Sequence, residues 1–311
     1  MKKILVTCPP MVGILDSVRS DFTSRNAEVY APPFSQFVPE EELIELVPQF
    51  DGWIIGDDPA TRSVFESGTN GRLRAAVKWG VGVDNVDFAA ANEFSLPITN
   101  TPQMFGPEVA DLALGYILAL ARETFLIDRQ IRAGFWPKPR GISTAGKHLG
   151  LVGFGDIGLN LGRRLKALDI KTTIYDPALQ EGAFEDLGMV ARWPCGLEEC
   201  DFLVFTCNLN SSNHHMLNEE NIRNLKQGVR IVNVARGPLI DESALINGLE
   251  QGLIHSAALD VFEVEPLPKA SSLRDHERCI LGSHNASNTA EAVMRATQKA
   301  IQLLFDFLEE A

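Results

Sequence analysis

The sequence predicts an α/β protein made of two doubly wound parallel-sheet domains. Three observations carry this. Short apolar runs alternate with helical patterns over the first part of the chain, up to Thr99. A second alternation of the same kind starts near residue 147. The 311 residues suffice for two domains of ~100–200 residues each.

The elements follow in order. Residues 3–7, 52–55, 76–79 and 97–99 read as strands, because each is a short apolar, β-branched run between turn residues. Residues 40–47, 62–66 and 87–93 read as helices between them. This βαβ rhythm implies a parallel sheet covered by helices. A long apolar pattern, residues 107–132, reads as one helix. Pro107 suits its first turn, Glu108 and Asp111 suit the positive end of its dipole, and Gly134 marks its stop. Residues 136–141 read as an irregular loop. Residues 148–153, 171–175, 202–206, 230–234, 257–260 and 279–281 are strand candidates of the second domain. Ile157, Leu161, Leu165 and Leu168 form one helical stripe, as do Leu245, Leu249 and Leu253. Residues 290–308 read as a closing helix, with Val293, Ala296, Ala300, Leu304 and Phe307 on one face.

Composition narrows the function. Apolar residues make up 45% and charged residues 22%, which are ordinary globular values. The 41 acidic against 28 basic residues give a net charge of -13. That balance argues against nucleic acid and against an anionic membrane surface, since both need clustered cations. The opening run Ile4-Leu5-Val6 is too short for a signal peptide, and the longest uncharged apolar stretch, residues 112–121, is too short to span a membrane. A cytoplasmic location is expected. Cys8, Cys195, Cys200, Cys207 and Cys279 are odd in number and form no CxxC pair. Free buried thiols, and no metal, are expected.

The strand at 148–153 runs into Gly153-Phe-Gly155-Asp-Ile-Gly158 and then a helical stripe. This spacing suits a dinucleotide: a tight turn at Gly153, close approach to a pyrophosphate at Gly155, and close helix–strand packing at Gly158. The helix N-terminus faces the phosphates with unpaired amides. Asp176 ends the next strand, 18 residues beyond Gly158, where a carboxylate would accept from the ribose hydroxyls and repel a 2′-phosphate. No Arg or Lys follows within four residues, so NAD is expected rather than NADP. Asp156 reads as a solvent-facing residue of the first helical turn. Three later strands end on chemistry: Arg236 after Asn233-Val-Ala, Glu265 after Ala258-Leu-Asp260-Val-Phe-Glu-Val, and His284 after Leu281-Gly-Ser. Strand C-termini are where open α/β sheets bind ligands.

Together these segments resemble the D-isomer-specific 2-hydroxyacid dehydrogenase family, which includes phosphoglycerate dehydrogenases. The likeness runs over nearly the whole chain. It includes Lys78-Trp-Gly80-Val-Gly82-Val-Asp-Asn85, Asn100-Thr-Pro102, Val109-Ala-Asp-Leu-Ala, Gly153–Gly158, Asn233-Val-Ala-Arg236-Gly, the segment from Ala258 to Pro266, and His284. The resemblance implies a Rossmann nucleotide domain (residues 101–285) inserted into a flavodoxin-like substrate domain (residues 1–100 and 286–311). It implies reversible hydride transfer between NAD(H) and a small D-2-hydroxy acid or its 2-oxo acid, in a cleft that closes. Arg236 would bind the substrate carboxylate, His284 would exchange a proton with the 2-oxygen, and Glu265 would fix the imidazole. The guanidinium fork matches a carboxylate, and an adjacent carboxylate favours imidazolium. Val81 and Gly82 would add backbone amides to the substrate. NAD contacts would fall on Gly153, Gly155, Asp156, Ile157, Gly158, Asp176, Cys207, Val234, Ala235, Asp260, His284 and Ser287. The segment Arg132-Ala-Gly-Phe-Trp136 resembles the family's dimer arm, so a homodimer is expected.

Two segments depart from the family pattern. Thr206-Cys207-Asn208 stands where the family commonly has His-x-Pro. Gly56-Asp57-Asp58-Pro59 is acidic and would repel a phosphate, leaving Arg62 and Lys78 as phosphate partners. Hydroxypyruvate, glyoxylate and phosphoglycerate-type substrates stay open. An NAD-binding regulator with little turnover is the alternative. A formate oxidiser is disfavoured, because formate dehydrogenases have Gln where Glu265 stands. His148, His255, His276 and the pair His214-His215 are assigned no chemistry. His255 is read as ending a helix, and adjacent histidines in a regular element are read as facing apart.

Overall fold

β-Branched and aliphatic runs that are buried on both faces can only be the strands of a helix-covered parallel sheet. The computed structural model describes residues 1–34 and 36–310 and holds two such sheets. It divides into two units, Met1–Met104 with Asn288–Ala311, and Phe105–Ser287.

The first unit opens with β1 (Lys2–Val6), α1 (Pro9–Val12), α2 (Leu15–Thr23), β2 (Ala27–Tyr30) and α3 (Glu40–Leu46). It continues through β3 (Gly52–Ile55), α4 (Arg62–Asn70), β4 (Ala75–Lys78), α5 (Phe88–Glu93) and β5 (Ile98–Asn100). The sheet order is β2-β1-β3-β4-β5, the flavodoxin-like order, with all pairs parallel. Its core is Leu5, Leu43, Trp53, Ile55, Val64, Phe65 and neighbours. α2 and β2 add to the elements expected from the sequence. The alternation of Ala27-Glu-Val-Tyr is plain once seen, with Ala27 and Val29 buried and the other two exposed.

The second unit begins with α6 (Gly106–Arg122) and α7 (Thr124–Arg132). The expected single helix is broken at Glu123, which takes the left-handed conformation at φ 56°. A non-glycine residue there costs ~1–2 kcal/mol. The bend turns the Glu123 carboxylate inward, 3.8 Å from Arg230 and 3.5 Å from His255. Burial pushes its carboxyl above the usual carboxylate range. β6 (His148–Val152), α8 (Asp156–Ala167), β7 (Lys171–Tyr175) and β8 (Met189–Val190) follow. Then come β9 (Phe202–Phe205), α9 (Glu219–Arg223), β10 (Val229–Asn233), α10 (Glu242–Glu250), β11 (Ile254–Leu259) and β12 (Cys279–Leu281). The order β12-β11-β10-β9-β6-β7-β8 is wholly parallel. Read from β8, it is the Rossmann pattern 3-2-1-4-5-6 with one strand added. His255 lies in β11, not at a helix end. The two-residue β8 was too short to read.

The chain returns to the first unit through α11 (Ala290–Glu310). Val293, Ala296, Ala300 and Leu304 are buried, joined by Ile301 and Phe305. Among the described residues, no helix is long and apolar enough to cross a membrane. All five cysteines are free. Cys8, Cys200 and Cys279 are buried as expected, but Cys195 is exposed and Cys207 only partly covered.

Candidate active site

The sheet of the second unit reverses its strand order between β6 and β9, and ligands of open α/β sheets bind at such a switch point. The glycine loop leaves β6 there. A Cβ on Gly153, whose φ is 91°, would lie 2.6 Å from the Cys207 Cα. One on Gly158 would lie 2.2 Å from the Gly153 carbonyl. Both positions therefore exclude side chains for packing reasons. Gly155, the N-cap of α8, differs: a Cβ there would meet nothing within 4 Å. Its surroundings are open, as a pyrophosphate at the helix N-terminus requires. Thr206, just past β9, donates to the Gly153 carbonyl at 2.8 Å and pins the loop.

Asp176 follows β7 and faces this loop. One carboxylate oxygen accepts from the Phe154 amide at 2.7 Å, the other from the Ala178 amide at 2.9 Å. Each carboxylate oxygen retains acceptor capacity for a hydroxyl. The open glycine turn, the helix N-terminus and a fixed acid at the next strand end fit a dinucleotide. Ile157 stands beside Gly158 in the first turn of α8, partly covered. Asp156 is not solvent-facing. Its carboxylate packs on the first residue of α6, where a Cβ on Gly106 would lie 2.3 Å from it. Cys207 packs on Gly153, and burial pushes its thiol up to about 12. Such a thiol stays protonated at neutral pH.

β10, β11 and β12 are neighbours, and each delivers one predicted residue just beyond its C-terminal end. Buried Asn233 ends β10 and braces the turn after it. It accepts from the Ala235 amide at 3.0 Å and donates to the Arg236 carbonyl at 2.8 Å. Val234 and Ala235 are buried in this turn, and Arg236 is partly exposed. His284 Nδ1 lies 2.7 Å from Glu265 Oε2. The other Glu265 oxygen accepts from the Phe262 amide at 2.9 Å, so the carboxylate is held at both ends. A carboxylate only accepts, so Nδ1 carries the hydrogen and the pair fixes the orientation of the ring.

His284 sits in the left-handed region at φ 54°. Asp260 supports this turn: its carbonyl accepts from the His284 amide at 2.7 Å, and its carboxylate from the Ala286 amide at 2.9 Å. Asp260 is buried, which raises its carboxyl despite these amides. Ser287 follows, partly covered. Asn233 and Thr206 join the site as braces beyond the residues expected from the sequence. The Asn233-x-x-Arg236 spacing is the signal that finds the first.

In the first unit, Val81 and Gly82 lie on the loop after β4. Asn100 donates to the Val81 carbonyl at 3.1 Å, and the Gly80 amide donates to Thr101 at 2.8 Å. The neighbouring acidic loop is not as expected. Asp58 is fully buried and turned inward, accepting from the Gly56 and Val38 amides at 2.9 Å each and from the Thr7 hydroxyl. Only Asp57 faces outward, and it pairs with Lys78 at 3.5 Å. Arg62 grips Glu93 with both guanidinium nitrogens, at 2.6 and 2.5 Å. Neither cation is thus an uncommitted phosphate partner.

His148 and His255 lie within the sheet of the second unit. His148 shares a hydrogen bond with Thr173 at 2.7 Å. Burial, then Arg230 and Arg278, lower His255 to about 4. His214 and His215 do share a face, with ring centroids 4.0 Å apart, because His215 is left-handed at φ 51°. Among the described residues, no group of three His, Cys, Asp or Glu is placed to hold a metal ion.

Residues 114–286 match the family model described as D-isomer specific 2-hydroxyacid dehydrogenase, NAD binding domain. A hydroxypyruvate reductase of Thermotoga maritima is 34% identical over 280 residues, covering 87% of this chain and 89% of that one. D-3-phosphoglycerate dehydrogenase 3 of Arabidopsis thaliana is 35% identical over 256 residues, covering 81% of this chain but 43% of that one. The chain thus spans less than half the length of that phosphoglycerate dehydrogenase. The apo-structure of D-lactate dehydrogenase from Escherichia coli superposes with a TM-score of 0.84 at 28% identity, over 100% of this chain and 97% of that one.

Proposed function

The chain belongs to the family of D-isomer specific 2-hydroxyacid dehydrogenases, and on that premise we propose that it reduces a small, unphosphorylated 2-oxo acid with NADH. The observation that carries this reading is the His284–Glu265 pair at 2.7 Å, beside the strand end that bears Arg236. NADH, when bound, supplies the hydride that goes to C2. Arg236 grips the carboxylate of the substrate with its guanidinium fork. His284 gives the Nε2 proton to the 2-oxygen as that oxygen gains charge, and takes it back in the reverse direction. Glu265 holds Nδ1–H, orients the ring and stabilises imidazolium.

Gly153, Gly155, Gly158 and the N-terminus of α8 take the pyrophosphate of the cofactor, and Asp176 takes the ribose hydroxyls. The negative charge of Asp176, with no nearby Arg or Lys after it, favours NAD over NADP. Unphosphorylated acids are favoured because Lys78 is tied to Asp57 and Arg62 to Glu93. Hydroxypyruvate and glyoxylate fit this class. A homodimer belongs to the same reading. Phe125, Ile131, Phe135 and Trp136 are exposed on α7 and just after it, a row of apolar side chains that a second copy would cover.

The test is a panel of 2-oxo acids with NADH and with NADPH. Turnover of glyoxylate or hydroxypyruvate with NADH, and little with a phosphorylated acid, is expected. Tight NADH binding without turnover of any acid would favour an NAD-binding regulator instead.

A further inference from the structure

Beside the Arg236 turn lies a second His–Glu pair that the reaction does not use. His215 Nε2 meets Glu263 Oε1 at 2.5 Å. Glu263 is also tied to the start of α10. Its amide donates to the Glu242 carboxylate, and its carboxylate accepts from the Glu242 amide, both at 3.4 Å.

The backbone around His215 is laced to the segment that follows Arg236. The His215 amide donates to the Pro238 carbonyl at 2.8 Å, and the Leu217 amide to Leu239 at 3.1 Å. The Asp241 amide returns a bond to Leu217 at 3.0 Å. Between them, Gly237 is pressed on the other loop so closely that a Cβ would lie 1.9 Å from the Phe262 carbonyl carbon. His215 itself takes the left-handed conformation, at φ 51°, a costly one for a non-glycine residue. The His214 ring lies against it, tilted by 32° with centroids 4.0 Å apart. Three loops therefore meet here: that of His215, that of Arg236–Asp241, and that of Phe262–Glu265.

We propose that His215 and Glu263 form a clasp that holds the Arg236 turn in place for the substrate carboxylate, His215 acting as a positioning residue through Pro238 and Glu263. The inference rests on the role given to Arg236 above. A bidentate grip on a carboxylate tolerates little displacement, and misplacement by about 1 Å can cost on the order of a hundredfold. Because Arg236 binds the carboxylate before as well as during the reaction, loosening its turn acts mainly on KM for the acid. The clasp bonds to the chain from Pro238 onward, whereas Asn233 separately braces Ala235, and the pyrophosphate loop after β6 is no part of it, so NADH affinity stays.

The test is steady-state kinetics with NADH and the 2-oxo acid that the parent turns over fastest, alongside NADH titration by fluorescence. His215→Ala is expected to raise KM for the acid about tenfold, with kcat within about threefold and the NADH Kd within about twofold of the parent. His215→Gln, whose amide can still donate to Glu263, recovers most of the loss. Glu263→Ala raises KM by a similar factor, and the double variant is no worse than either single one. If His215→Ala does not fold, Glu263→Gln against Glu263→Ala gives the same comparison. A KM within twofold of the parent in His215→Ala overturns the clasp. So does a parallel rise in the NADH Kd, or a Gln variant no better than Ala. A parent that turns over no 2-oxo acid overturns the role of Arg236 first, and the clasp with it.

Discussion

Glu265→Gln is a near-isosteric change whose effect follows from the two bonds that Glu265 makes. One oxygen accepts from the Phe262 amide at 2.9 Å, and the other accepts from His284 Nδ1 at 2.7 Å. A glutamine has one acceptor and one donor end, so it cannot serve both. With its oxygen toward Phe262, its NH2 faces Nδ1 and locks the imidazole neutral, opposing the imidazolium that donates the proton. With its oxygen toward His284, a backbone N–H of Phe262 loses its partner. Either orientation gives up a charge-assisted bond or leaves a donor unmade, at about 1.5–3 kcal/mol. At 1.36 kcal/mol per decade this is roughly a tenfold to hundredfold loss in kcat. The assay is NADH oxidation with a saturating 2-oxo acid, with NADH affinity as the control. Rates within twofold of the parent would refute the argument that Glu265 serves His284 as a charged acceptor.

The remaining predictions concern the cofactor loop and the fold. Gly158→Ala places a methyl group 2.2 Å from the Gly153 carbonyl and should lower both Tm and NADH affinity, whereas Gly155→Ala meets nothing within 4 Å. The Gly155 variant should keep its Tm and lose NADH affinity alone, read by thermal melts with and without NADH. Asp176→Ser removes the charge expected to repel a 2′-phosphate, so the NADPH to NADH ratio of kcat/KM should rise about tenfold or more. An unchanged ratio would show that the acid does not select the cofactor. His255 is held at about 4 when folded, against an ordinary value of 6.5. As pH falls below 6.5 the unfolded imidazole takes a proton that the folded one refuses, so stability is lost between about pH 6.5 and 4. The loss is at most about 3 kcal/mol, less because part of the side chain is exposed and because the raised Glu123 carboxyl works in the opposite sense. His255→Gln should flatten urea-melt stability over that window; an unchanged slope would rule out His255 as its source.

Much of the site was legible because its signals are local. The glycine spacing, the acid at the end of β7 and the three residues beyond β10, β11 and β12 all sit at strand ends, which apolar runs mark well. What was not legible depends on residues far apart in the chain. Glu123 lies between two good helical patterns, and its left-handed turn, which buries the carboxylate near Arg230 and His255, is set by residues more than a hundred positions away. His255 follows a leucine stripe that looks helical through Leu253, yet it pairs within a sheet. The inward turn of Asp58 needs the amide of Val38 and the hydroxyl of Thr7, neither of which its own segment announces. The contact of His215 with Glu263 joins residues 48 apart and depends on a left-handed backbone that no local propensity requires.

Arg236 is assigned the capture of a 2-oxo acid for reduction by NADH. The most direct measurement compares the parent with Arg236→Ala for NADH oxidation by glyoxylate or hydroxypyruvate, with NADH affinity measured on the same preparations. Turnover by the parent is expected, with a loss of at least about a hundredfold in kcat/KM in the variant, as for a lost charge-assisted pair, and NADH binding within twofold. A variant that reduced the acid at near-parental rates would contradict it.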